Sequence, residues 1–184
     1  MPTKNARYIY WDACVFIDHY ARTPGRAEEI KRVWADLVDE DKDNRIVTCT
    51  LAIAEVAYSQ EERARNVLDA QTTVSLDAMW NDPSILLVEV PQFLMTKARD
   101  LIRRCKAHGM SLRPQENWVL KPADAVHLAA AMWVNEEINP IQEFNTYDSH
   151  LFKYAPLVGF PIKEPFLDKP QQTKFLDVLD NSPR

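Results

Sequence analysis

The chain is poor in the features that mark specialised proteins. Its 184 residues hold only three cysteines, Cys14, Cys49 and Cys105. An odd number, wide spacing and apolar surroundings exclude a disulfide framework and a thiolate zinc site. They predict reduced thiols in a cytoplasmic protein. No apolar run approaches the roughly 20 residues that cross a bilayer, so no membrane association is expected. The opening segment, Met1-Pro2-Thr3-Lys4-Asn5-Ala6-Arg7, lacks the apolar stretch and cleavage site of a secretory signal. A basic excess is missing too: the net charge is −5, which argues against an electrostatic blanket for nucleic acid but leaves room for a local basic groove. Internal repeats and low-complexity segments are also absent.

What remains is an ordinary globular composition, 46% hydrophobic and 27% charged, in a chain long enough for one domain with a real core. Residues 8–12 read as a short buried strand and 14–20 as a helical turn or two. Ile30, Val33, Trp34, Leu37 and Val38 recur at helical spacing and predict a helix over 26–39. A turn at 41–44 leads to the β-branched strand 45–49, with Thr50 as a candidate N-cap. Residues 61–81 look helical in two pieces. Asp82-Pro83-Ser84 breaks the chain before a strand at 85–90. Pro91 then starts a helix to about His108, stopped by Gly109. After a loop at 110–121, Pro122 opens a helix to about Asn135. A strand at 143–147, a short helix at 149–155 and an edge strand at 160–162 follow. This alternation predicts a three-layer α/β/α sandwich around a mainly parallel sheet of four to five strands. In such sheets ligands gather outside the carboxyl ends of the strands.

Four lone carboxylates stand in apolar settings. Asp12 closes Tyr8-Ile9-Tyr10-Trp11. Glu55 is the only charge between Leu51 and Tyr58. Asp124 opens an uncharged stretch to Val134, and Asp148 follows Phe144-Asn145-Thr146-Tyr147. Removing a carboxylate from water costs several kcal/mol or more unless something positive meets it. A divalent cation is the simplest shared partner for four of them, and oxygen donors suit Mg2+ or Mn2+.

These segments, Trp-Asp12-Ala-Cys-Val-Phe, Ala-Glu55-Val, Pro-Ala-Asp124-Ala-Val-His-Leu-Ala and Asn-Thr146-Tyr-Asp148, resemble the PIN domain family over roughly residues 7–158. They are most similar to its VapC-like toxin ribonucleases. The resemblance implies a metal-dependent endoribonuclease that hydrolyses RNA, the toxin of a type II toxin–antitoxin pair. It implies Asp12, Asp124 and Asp148 as holders of the metal. Glu55 would orient the attacking water or help hold a second ion. Thr146, Cys14 and His127 would orient these groups from behind. In this pattern Ala13 and Cys14 replace the hydroxyl and amide residues common after the first Asp, and a weak thiol donor predicts a looser setting around Asp12. A small antitoxin and a homodimer are the implied partners. The nuclease domain is expected over 1–160, with 161–184 as an extension that packs on the domain or binds a partner through Phe175, Leu176, Val178 and Leu179.

Each residue also has a plainer reading. Asp124, near a helix start, favours the helix dipole, and Asp148 fits an N-cap. His127, one turn after Asp124, fits a satisfied core histidine. Arg99, Arg103 and Lys106, joined by Arg113, form a weak candidate RNA-binding stripe that also fits a solvated helix face. Trp118 is the tryptophan placed to stack on a base. The alternative function is a catalytically weakened PIN-like scaffold that binds RNA or protein. A haloacid-dehalogenase-type phosphatase needs a second Asp two positions after the first, and Cys14 occupies that place.

Overall fold

The computed structural model describes residues 6–38, 43–110 and 119–166. Within them β1 (Tyr8–Trp11), β2 (Arg45–Cys49), β3 (Ile85–Val88), β4 (Ile141–Asn145) and β5 (Ile162–Lys163) form one sheet in the order β3-β2-β1-β4-β5. Every pairing is parallel. Tyr10 stands beside Val47 on one side and Phe144 on the other, and Phe144 beside Ile162. The chain steps outward from β1 through β2 to β3, then returns to the other side of β1 for β4 and β5. The connections therefore part between β1 and β4, and the crevice at their carboxyl ends is where this topology places a ligand.

Side-chain alternation along the strands divides the core in two. Tyr8, Tyr10, Val47, Cys49 and Val88 pack with α6 (Gln92–Ala107) and α7 (Pro122–Glu137) on one face. Ile9, Trp11, Ile46 and Ile85 pack with α1 (Ala13–Tyr20), α2 (Arg26–Leu37) and α5 (Ala70–Trp80) on the other. The sandwich and its parallel sheet are those expected from the alternation of strand and helix patterns. In α6, Leu94, Ala98, Leu101 and Cys105 fall on one stripe and are buried. The long run Ala125–Ala131 of α7 is buried almost throughout, because this helix lies between the sheet and α6.

Local signals account for most boundaries. Pro122 opens α7 at its first position. Gly109, at φ +70, ends α6: its N–H reaches Lys106 O at 3.1 Å and that of Met110 reaches Cys105 O at 3.2 Å. The segment read as helical in two pieces holds α4 (Gln60–Arg65) and α5, separated by Asn66 in the left-handed region. The strand expected at 143–147 begins earlier, at Ile141, and Thr146 lies beyond it. The short helix after Asp148 is a 3-10 turn, Ser149–Tyr154, continued by α8 (Ala155–Val158). Thr50 precedes α3 (Leu51–Glu55) but makes no side-chain cap bond. The edge strand is shifted past Pro161 to Ile162–Lys163, so the sheet extends to residue 163. Arg113, Trp118 and the apolar group at 175–179 lie outside the described residues.

The link from α4 to α5 hangs on one carboxylate. Ser59 Oγ accepts from Glu62 N at 3.1 Å, while Glu62 Oε2 accepts from Ser59 N at 2.9 Å and Oε1 from Asp69 N at 2.7 Å. The Asp69 and Ser59 amides hold Glu62 below the ordinary glutamate pKa. Ser59→Ala is expected to cost about 1 kcal/mol in a urea melt. The contribution of the Glu62 charge is complete above its unfolded-state pKa and is lost as pH falls through the lower folded one. The stability gap between the wild type and Glu62→Gln should therefore narrow from about pH 6 to about pH 3, and a constant gap would assign Glu62 no electrostatic role.

Candidate metal centre

Asp12 stands at the carboxyl end of β1 and caps α1, with Oδ1 accepting from Ala13 N at 2.9 Å. Its other oxygen accepts from Thr146 Oγ1 at 2.8 Å and from Cys14 Sγ at 3.2 Å. Thr146 follows β4, the neighbouring strand, so this bond stitches two strand ends together across the crevice. The Thr146 hydroxyl also accepts from Asp148 N at 3.0 Å, and Cys14 Sγ accepts from Tyr147 N at 3.2 Å. The setting of Asp12 is thus not loosened by the thiol as expected, because Cys14 bridges β1 and the segment after β4. Burial, with the charge of Asp12 added, raises the Cys14 pKa well above the ordinary thiol range, so it stays an S–H donor.

Glu55 reaches the same place from α3. Its Oε2 lies 2.7 Å from His127 Nε2, and Asp12 Oδ1 lies 3.8 Å from the same nitrogen. His127 is 1% exposed, and its other nitrogen meets the Tyr10 hydroxyl at 3.0 Å and Cys49 Sγ at 3.5 Å. Burial disfavours a charged ring here. Hydrogen bonds to Cys49 and Glu55, with the charge of Asp12, outweigh it and raise the His127 pKa well above its ordinary value. The imidazolium is then a cation held between two carboxylates. Asp124 occupies the third position of α7, one turn before His127 and on the same flank, with Oδ2 shielded from solvent.

Burial separates the four acids. Asp12 alone is buried, at 7% exposure; Glu55, Asp124 and Asp148 are half-buried at the rim. The apolar run around Glu55 does not form a buried helix. α3 is little more than one turn, buries only Ala52 and leaves Ile53 42% exposed. The Leu51–Tyr58 segment is apolar without being interior, because it crosses the open end of the sheet. Asp148 takes the capping role that its position allows, with Oδ1 accepting from His150 N at 2.9 Å.

One connected set therefore contains Asp12, Cys14, Thr146, Glu55 and His127, with Asp148 tied to it through its backbone N–H. Among the described residues no group of three or more His, Cys, Asp or Glu side chains stands in metal-holding geometry. Arg99, Arg103 and Lys106 are exposed on α6, and Arg99 is spent on its neighbour Asp100 at 2.9 Å. Among the described residues no hydrogen bond joins them to the acidic set. Tyr10 and Cys49, which back His127, were not expected. Strand parity identifies them: Tyr10 shares a face with Asp12, and Cys49 lies on the same face of the next strand.

The fold has counterparts among solved structures. No curated protein matches the sequence. Solved structures match the fold: the toxin VapC20 of Mycobacterium tuberculosis, described as cleaving the sarcin–ricin loop, has a TM-score of 0.52 at 17% identity and covers 77% of this chain and 90% of its own. VapBC2 from Rickettsia felis, bound to a DNA fragment from the promoter of the pair, gives 0.57 at 12% identity, covering 85% and 98%. FitAB bound to a DNA fragment gives 0.52 at 15% identity, covering 89% and 99%. At these identities the likeness establishes the fold alone. The sequence model of the PIN domain matches residues 9–155, the span that carries all four acids. This chain belongs to the PIN domain family.

Proposed function

We propose that this chain is an endoribonuclease dependent on a divalent cation, Mg2+ or Mn2+. The observation that carries the reading is the convergence of Asp12 and Glu55 on one buried imidazole at the carboxyl ends of the strands. Carboxylates brought together at the strand ends offer hard oxygen donors, which suit these ions. The residues present thus fit such an ion in chemistry. Asp12, Asp124 and Asp148 would hold it directly or through water. Bound there, it would make a coordinated water more acidic and screen charge on the phosphate oxygens.

The chain's own groups divide the remaining work. Thr146 and Cys14 keep one oxygen of Asp12 engaged and so fix its plane. Glu55, more open than Asp12, orients the attacking water or helps to hold a second ion. Arg99, Arg103 and Lys106 lie on an exposed helix face suited to an RNA backbone, where binding would weaken as salt rises. Arg113 is assigned the same weak role from sequence alone. The family supports a cytoplasmic toxin restrained by a small antitoxin whose tail fills the acidic crevice, and self-association as a homodimer.

A second reading, an RNA- or protein-binding scaffold with a weakened site, is favoured by one feature. Among the described residues the acids do not form a three-ligand group. Cleavage of a fluorescent RNA with and without Mn2+ separates the two. Loss of an outer contact to a metal site costs roughly 10–100-fold, so Asp12→Asn, removing a direct ligand, is expected to lose about 100-fold or more with its melting curve intact. Undiminished cleavage would remove Asp12 from the site. Wild-type RNA binding with no cleavage in any divalent ion would establish the scaffold.

A further inference from the structure

Glu55 is not held in place by its own helix. α3 is a single turn that buries only Ala52; Val56 beside Glu55 is buried, while Ile53, Ala54, Ala57 and Tyr58 are exposed. What the structure offers instead is a chain of contacts from the opposite side of the crevice. His127 Nε2 meets Glu55 Oε2 at 2.7 Å, and Tyr10 OH meets His127 Nδ1 at 3.0 Å. Tyr10 is fully buried, stacked on Phe144 at 4.9 Å and set edge-on to the His127 ring. Cys49 Sγ, at 3.5 Å from Nδ1, closes the other side.

From this geometry we infer that Tyr10 and His127 are positioning residues that present Glu55 to the cation. The inference rests on the metal-dependent reading above. His127 turns Nε2 to Glu55, and the buried phenol meets the other ring nitrogen, Nδ1. The Tyr10 hydroxyl thereby holds the ring in the orientation that directs Nε2 to Glu55. With Oε2 occupied by His127, Oε1 is the oxygen Glu55 offers to an ion or its water. Tyr10 also lies two residues before Asp12 on the same face of β1. One strand thus carries Asp12 at its tip and, through Tyr10 and His127, sets the direction of Glu55.

Tyr10→Phe keeps the ring and its stacking but deletes the hydroxyl. The test is calorimetric titration of the full chain with MnCl2, comparing wild type, Tyr10→Phe, Glu55→Gln and the double variant. Circular dichroism melts accompany each sample. Partners that orient metal ligands from behind typically contribute 10–100-fold to affinity, so Tyr10→Phe is expected to weaken Mn2+ binding about tenfold. The same change should have no further effect once Glu55 is already Gln. If Tyr10→Phe does not fold, His127→Gln takes its place and is expected to show the same dependence on Glu55. Unchanged Mn2+ affinity, or an equal loss with and without Glu55, would overturn the proposal and leave the metal reading standing. Absence of Mn2+ binding by the folded wild type would overturn both.

Discussion

A negative charge buried at the end of the central strand is the constraint around which the rest of this structure is arranged. Asp12 is 7% exposed and receives hydrogen bonds from Ala13 N, Thr146 Oγ1 and Cys14 Sγ. Three donors meet much of the cost of taking it from water, since bonds to a charged acceptor are roughly twice as strong as neutral ones. They come from α1 and from the segment after β4, so satisfying Asp12 also aligns the two strand ends that flank the crevice. The place of Asp148 follows from that alignment, because Thr146 Oγ1 also anchors its backbone.

The second organising group is His127. It belongs to the apolar helix α7, yet its ring spans from a phenol in the core to a carboxylate at the rim. A buried ring with a polar partner on each nitrogen has little freedom of orientation, and rigid supports of this kind are what position metal ligands. The contact also places a positive charge where the carboxylates converge.

Much of this was legible in the sequence, for identifiable reasons. The parallel sheet followed from strands alternating with helices, and the ends of α6 and α7 from Gly109 and Pro122, whose backbone preferences act locally. The place of Asp12 followed from an isolated charge after four apolar residues. Less was legible where apolar composition and burial part company. Leu51–Tyr58 reads as interior, but α3 lies across the open end of the sheet, so Glu55 is half-exposed. The strand before Asp148 begins two residues early because the register is set by pairing with β1, which single-chain propensity does not see. Cys14 was expected behind Asp12, but its bonds to Thr146 and Tyr147 were not, since those partners lie far along the chain. Tyr10 and Cys49 hide in runs that read as core; only their shared face with Asp12 marks them.

The central claim is that Asp12 and Glu55 meet at a cation site, and the most direct measurement is anomalous diffraction from crystals soaked in MnCl2. A manganese peak is expected within coordination distance of Asp12, at roughly 2–2.5 Å, with Glu55 bound to it directly or through one water. A folded crystal with no peak in the crevice, or with manganese only at surface carboxylates remote from Asp12, would contradict it.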